Sequence, residues 1–264
     1  EDLKDYFFHL ANTPTHSFMR GLYKYPQQTF PYQQLLAENQ RRGKDQPEYE
    51  LIDTGVFADN RYFDVTIEYA KHSPHDLLIR LRVVNRGPVA APLTLLPSLW
   101  FRNTWSWGYP DEERPAIRLD QPATGDPGDD PATCAAVVTD AIAPLGSYRL
   151  SCREPGRWLF TDNETNSERL WGVPNATPYQ KDGFHRYVVN GEVGAIHPDG
   201  WGSKAARLLR RTLAPGEEWE THLRLTATAQ ASGDPFGPEF AATFAQREQE
   251  WRDYFDQRVP GLKE

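Results

Sequence analysis

The sequence predicts a mainly β protein: a large antiparallel β-sandwich with one short internal helix and an amphipathic helix near its C-terminal end. Three observations predict it. Period-two runs rich in β-branched and aromatic residues fill Tyr49 to Pro97 and return over residues 208–228. Gly, Pro and Asn clusters separate those runs at turn-like intervals. Helical spacing of apolar residues is confined to two stretches. A chain of 264 residues suits one large β domain. With 39% hydrophobic and 25% charged residues the core must be lean, and the 12% aromatic residues supply much of its bulk.

The elements follow in order. "DYFFHL" (5–10) and "SFMRGLYKY" (17–25) read as aromatic-rich strands, and Pro14 with its polar neighbours turns them into a hairpin. "PYQQLLAENQRR" (31–42) opens on Pro, continues in helix formers and ends in basic residues before Gly43, which predicts the short helix. "YELID", "RYFDVTIEYAK", "DLLIRLRVVNRG" and "APLTLLPSLWF" are the next strands. In the third, Leu77, Ile79, Leu81 and Val83 share one face while Arg80 and Arg82 take the other, the pattern of a half-buried antiparallel strand. Residues 120–133 are acidic and rich in Pro and Gly, and 162–204 are punctuated by Gly, Pro and Asn, so both read as loops. "LLRRTLAPGEEWETHLRLTAT" (208–228) repeats strand, turn and strand. Finally Phe240, Phe244, Trp251, Tyr254 and Phe255 recur at near-helical spacing over 239–258, a stripe of rings that requires a partner surface.

Composition excludes several classes. A formal net charge of −8 is the wrong sign for neutralising phosphates or binding anionic membranes, so neither nucleic acid nor membrane is an expected partner. No run of about 18 apolar residues is present. The opening Glu1-Asp2-Leu3-Lys4 has the character of neither an initiator Met nor a signal peptide, and the chain reads as a piece of a longer protein. A cytoplasmic location is expected. Cys134 and Cys152 are too few for a disulfide framework or a four-ligand zinc site. A hairpin centred on Ala143 would set the two opposite one another, which leaves a disulfide open beside two reduced thiols.

Chemical signatures are sparse. The sequence holds no Gly-x-Ser-x-Gly elbow, phosphate loop, dinucleotide fingerprint or His-Glu-x-x-His. Asp53-Thr54-Gly55 occurs once, whereas an aspartic protease requires two such carboxylates, so it reads as a turn. The seven histidines show no metal-ligand spacing, and neither metal nor cofactor is expected. His185, His197 and Glu192 form a conceivable acid/base set for sugar ring opening, although surface or loop histidines are the favoured reading. Asp111-Glu112-Glu113 reads as a solvated loop face. Asn163-Glu164-Thr165 and Asn175-Ala176-Thr177 are glycosylation sequons.

The most unusual stretch is "LPSLWFRNTWSWGYPDEERP" (96–115). If its strand continues, Phe101, Asn103, Trp105, Trp107 and Tyr109 fall on one face and Trp100 and Arg102 on the other. Flat rings beside Asn and Arg suit a sugar, whose C–H face stacks on indole while its hydroxyls take hydrogen bonds. Core packing is the default reading, and contact with another domain comes ahead of a direct sugar platform. Arg102, Asn103, Trp105, Trp107 and Tyr109 are therefore the candidates for a substrate cleft or an interdomain contact.

Four separated strings, "DYFFHLANTPTHSFMRGLYKYPQQTFPY" (5–32), "YELIDTGVFADNRYFDVTIEYAK" (49–71), "LRVVNRGP" (81–88) and "LPSLWFRNTWSWG" (96–108), occur together and in order. Together they resemble the N-terminal region of bacterial glycoside hydrolase family 63-type proteins, related to mannosyl-oligosaccharide glucosidase; "LRRTLAPGEEW" (209–219) continues the likeness more weakly. The resemblance implies a β-sandwich of the super-sandwich kind over 1–235 and a linker helix over 236–264 leading to an (α/α) barrel. In that family the barrel carries the carboxylates of an inverting hydrolysis. Nothing in residues 1–264 matches such a barrel, so no catalytic residue is carried over. The resemblance thus implies a non-catalytic domain that buttresses a glucosidase-like catalytic barrel of the same chain and shapes its oligosaccharide cleft. The alternative is a stand-alone carbohydrate-binding or mutarotase-like β-sandwich.

Overall fold

A computed structural model describes residues 5–109, 114–120, 136–140, 145–259 and 261. Its strands are β1 (Phe7–Asn12), β2 (Phe18–Pro26), β3 (Tyr62–Ser73), β4 (Asp76–Asn85), β5 (Ala91–Leu95), β6 (Ser98–Trp100), β7 (Ile117–Leu119), β8 (Ala136–Thr139), β9 (Tyr148–Cys152), β10 (Arg157–Thr161), β11 (Trp201–Gly202), β12 (Lys204–Leu213) and β13 (Glu218–Ala227). The helices are α1 (Tyr32–Arg41), α2 (Ser167–Trp171), α3 (Gly183–Asn190) and α4 (Pro238–Arg258). Among the described residues nine strands form one antiparallel sheet in the order β1-β2-β3-β4-β13-β9-β8-β7-β11. The second sheet runs β10-β12-β5, with β6 also paired to β12.

The core lies between the sheets because alternate residues of each point inward. The large sheet contributes Phe63, Val65, Val83, Leu150, Cys152, Trp219 and Leu223; Leu93, Trp158, Phe160, Leu209 and Leu213 come from the small one. Each such side chain, fully withdrawn from water, contributes about 1.5–3 kcal/mol before ordering costs. The Ala-Pro-Gly-Glu turn joins β12 to β13 across the layers, since β12 pairs within the small sheet and β13 lies between β4 and β9. Buried Asn85 fastens that corner: its Nδ2 donates to the Val89 and Leu213 carbonyls, and its Oδ1 accepts from Gly87 N and Gln27 Nε2. The "NRGP" string is thus explained by a polar staple between two turns.

The outer faces are covered as well. On the small sheet, Leu159, Ala206 and Leu208 pack against Phe184 of α3 and Ile196. On the large sheet, Phe240 and Phe244 of α4 close over Phe18, Ala70 and Leu78. The face of β4 bearing Arg80 is therefore no solvated surface. Arg80 Nε donates to buried Glu68 at 2.5 Å, and its guanidinium lies 4.5 Å from the centroid of Phe244.

Several expectations change. "YELID" is not a strand: Leu51–Thr54 is a 3₁₀ turn, because the Asp53 carboxylate accepts the Glu50 N–H at 2.9 Å and closes the segment locally. The stretch 162–204 holds α2 and α3, the latter formed because Phe184, Tyr187 and Val188 share one face. The β8–β9 pair sets Ala136 opposite Ser151, one residue from the register of a hairpin centred on Ala143, which would oppose Ala136 to Leu150. Cys152 is buried in the core; Cys134, Ala143, the acidic stretch 121–133 and Asp111-Glu112-Glu113 lie outside the described residues. No helix among the described residues is long and apolar enough to cross a membrane.

Candidate functional site

The site assembles where β6 and β10 end. After Trp100 the chain leaves the sheet: Phe101 N still donates to Ser203 O at 3.0 Å, but Trp105–Trp107 form a 3₁₀ turn. The Asn103 side-chain oxygen accepts from Ser106 N at 3.2 Å, and Gly108 takes φ +77°, which closes the turn. The strand alternation expected for Phe101 to Tyr109 is therefore lost. Phe101 packs against the central core. Trp105 is half-buried, whereas Trp107 and Tyr109 remain 53% and 64% exposed. The rings of those two meet edge-on at 6.0 Å, and the exposed Arg102 guanidinium sits 5.1 Å from the Trp107 ring. Asn103 is spent on the turn.

Opposite this turn, the end of β10 supplies two carboxylates. Asp162 is buried; its Oδ1 accepts Ser203 N at 3.3 Å and its Oδ2 accepts Arg114 Nη1 at 3.0 Å. Glu164 accepts the Trp105 indole N–H at 2.9 Å and lies 3.5 Å from the same Arg114 nitrogen. One guanidinium thus ties both carboxylates together and, through Glu164, fixes the indole of Trp105. Asn163 locks the backbone between them, its Nδ2 donating to Phe101 O and its N–H to Ser203 Oγ. Its amide is thereby used inside the fold.

The Arg114 guanidinium also lies 5.5 Å from the Trp201 ring, and His197 packs between Trp201 (4.3 Å) and Tyr179 (4.6 Å). Next to Trp201, Gly202 packs so closely on the Thr161 backbone that no Cβ fits. Burial pushes the His197 pKa down, helped by Arg114 and opposed by Asp199 and Asp162, so the ring is neutral at neutral pH. Its Nδ1 accepts Asp199 N at 3.2 Å, which assigns the proton to Nε2. A neutral imidazole beside fixed carboxylates, with indole and phenol faces near, can hydrogen-bond and stack on a polyhydroxylated ring.

The sequence-derived candidates are thus partly brought together. Trp105 joins the carboxylate network, Trp107, Tyr109 and Arg102 form the exposed rim, and His197 enters the aromatic stack. His185 is instead exposed on α3, and Glu192 bonds Arg186 and Asn190 rather than a histidine. Arg114, Asp162, Glu164, Tyr179 and Trp201 escaped sequence reasoning. "TDNET" and "DGWGS" carried the signal as polar and aromatic residues at the ends of strands, but their meeting depends on long-range pairing. No group of three or more His, Cys, Asp or Glu among the described residues could hold a metal ion.

The fold and the site together define a β-sandwich with an aromatic, carboxylate-lined end. No protein-family model matches the chain. It is 32% identical over 301 aligned residues to YMR196W, an uncharacterized protein of Saccharomyces cerevisiae; the match covers 98% of this chain and 27% of that protein. The chain therefore spans about a quarter of the length of this curated relative. Among solved structures, a polysaccharide lyase is similar at 14% identity and a TM-score of 0.38, over 90% of this chain and 27% of that one. A putative aldose 1-epimerase of Escherichia coli K12 gives 9% and 0.33, over 83% and 67%. A galactose mutarotase-related enzyme of Lactobacillus acidophilus gives 8% and 0.36, over 83% and 70%.

Proposed function

We propose that this chain is a non-catalytic, carbohydrate-binding β-sandwich that serves a longer carbohydrate-active protein. The observation that carries the reading is that Trp105, whose indole is held by Glu164 of the Arg114 network, shares one short string with exposed Trp107 and Tyr109: rings for the apolar face of a sugar, and the partly exposed Arg114 and Glu164 for its hydroxyls. The family 63 resemblance supports the finer reading, in which residues 1–235 are the accessory domain, 236–264 lead toward an (α/α) barrel, and this end borders the oligosaccharide cleft of a glucosidase. The exposed apolar side chains of Leu170, Trp171 and Val193 suit a surface that a neighbouring domain covers.

The test is calorimetry of the purified chain with maltose and longer α-glucans. Saturation at a hundredfold excess over Kd should stabilise the fold by about 2.7 kcal/mol. Trp107→Ala with Tyr109→Ala should weaken binding about tenfold, or 1.4 kcal/mol. Absence of both heat and a melting shift overturns the proposal.

A mutarotase-like activity is the second reading, favoured by the neutral His197 close to Asp162. Polarimetry of fresh α-glucose separates the two. A saturable acceleration of anomerisation, lost in His197→Ala, would replace the non-catalytic reading, and a buffer-level rate retains it.

A further inference from the structure

On the outer face of the large sheet, beside the start of α4, a cavity of about 450 Å³ opens between β9, β13 and the segment from Gln230 to Glu239. It shares no residue with the aromatic end. Its volume lies in the range of small-molecule sites, about 300–1,000 Å³. We infer that this cavity is a second binding site, for an uncharged, hydroxyl-rich ligand of mono- to disaccharide size.

Charge comes first. Two guanidiniums, Arg149 and Arg224, face two carboxylates, Asp76 and Glu239. Arg224 clamps Asp76 through Nε at 2.9 Å and Nη2 at 2.6 Å, and Asp76 accepts a third bond from Thr226 Oγ1 at 2.8 Å. Glu239 sits 3.8 Å from Arg224 and 3.9 Å from His72. Arg149 pairs with Asp120. Each charge on the wall is matched by an opposite one, so an ionic ligand would have to break a pair to bind.

Hydrogen-bonding capacity comes next. The Nε of Arg149 is buried and has no hydrogen-bond partner among the described residues. A buried donor left unmet carries a desolvation penalty that a ligand hydroxyl accepting from it would relieve. Ser151 and Ser232 add hydroxyls to the wall and Gln230 an amide, groups that both donate and accept. Apart from His72 no ring lines the cavity, and Ala231, Gly233 and Pro235 supply its apolar part. A lining that donates and accepts in equal measure, with no net charge and no stacking platform, fits a compact polyol rather than a phosphate or an aromatic compound.

The floor is fixed by the Asp76–Arg224 clamp, whereas Gln230, Ser232 and Gly233 are exposed and can be changed without disturbing either core. The experiment uses the whole chain carrying Trp107→Ala and Tyr109→Ala, which weakens the aromatic end, so that binding lost on changing the cavity is read at the cavity. Calorimetry with glucose, maltose and inorganic phosphate is then repeated after adding Ser232→Trp, which plugs the mouth, or Gln230→Ala. Glucose or maltose should still bind in the background variant, weaken about tenfold or more with Ser232→Trp, and weaken measurably with Gln230→Ala. Phosphate should not bind. The inference is overturned if neither sugar binds the background variant, if the plug leaves binding unchanged, or if phosphate is preferred. These outcomes leave the proposal for the aromatic end standing, since that is read in the parent chain by the loss on Trp107→Ala.

Discussion

A single guanidinium decides how the candidate site holds its shape. Arg114 reaches both Asp162 and Glu164, and Asp162 has only 3% of its side chain exposed. A carboxylate that deep in the protein needs a cation or several donors, and Ser203 N supplies just one further bond, at 3.3 Å. Arg114→Ala should therefore lower stability by about 1.5–3 kcal/mol, the range for hydrogen bonds to charged groups, read as a shift of the urea midpoint at unchanged slope. Arg114→Lys should recover only part of it, since one ammonium cannot reproduce the planar fork. A midpoint unmoved by Arg114→Ala would mean that Asp162 is satisfied without it, and that the site is less rigid than its contacts imply. At this scale the sequence was legible only where a residue acts locally. Trp107, Tyr109 and Arg102 stand out as neighbours in one short string, while the network behind them depends on long-range meetings: Trp105 reaches Glu164 across 59 positions and Arg114 reaches Asp162 across 48.

Among the elements, α4 tests how far periodicity can be trusted. Its rings at Phe240, Phe244, Trp251, Tyr254 and Phe255 predicted a stripe in need of a partner surface; the structure packs the first three on the large sheet of the same chain, while Phe255 stays 40% exposed. Polar contacts fix its register: Arg20 bridges Glu68 of β3 and Glu248 of α4, and Arg247 Nε donates to the Lys71 carbonyl at 2.7 Å. Phe244, 2% exposed, lies at the centre. Phe244→Ala should cost about 3–5 kcal/mol through lost burial and the cavity left behind; it would also strip the ring from Arg80. Thermal melts would show this directly, and a loss below about 1 kcal/mol would mean that α4 is only loosely docked. The strands of the large sheet were legible because their inner and outer residues alternate. "YELID" misled because Asp53 can close its own turn, and α3 was passed over because Gly and Pro around it resemble loop punctuation more than helix boundaries.

For the whole molecule, which strands share a sheet was not legible. β12 and β13 are consecutive and joined by a tight turn, yet they belong to different layers, because the inner faces of both are claimed by the one core between the sheets. That closed, two-sided architecture also buries titratable groups, and it sets the pH response. His197 and His222 are both pushed below the ordinary histidine value of 6.5, by burial in each case, with Glu220 opposing the shift at His222. A histidine whose folded pKa is depressed binds its proton more readily when unfolded, so its stabilising effect is complete above about 6.5 and is lost as pH falls through the folded value. Asp76 and Glu220 follow the same sign at lower pH. Burial alone would raise both, but hydrogen bonds from Arg224 and Thr226 to Asp76, and from His222 to Glu220, hold them below 3.8 and 4.5. Stability should therefore fall in two stages, first as pH drops below about 6.5 and again below about 4.5. Urea unfolding across pH 8 to 3 measures both. His197→Gln with His222→Gln should flatten the first stage and leave the Asp76 part of the second in place, while the Glu220 part shrinks with the loss of its His222 partner. If the double variant keeps the full slope between pH 7 and 5, the two buried imidazoles are not its source, and the neutral His197 on which the mutarotase-like reading depends loses its support.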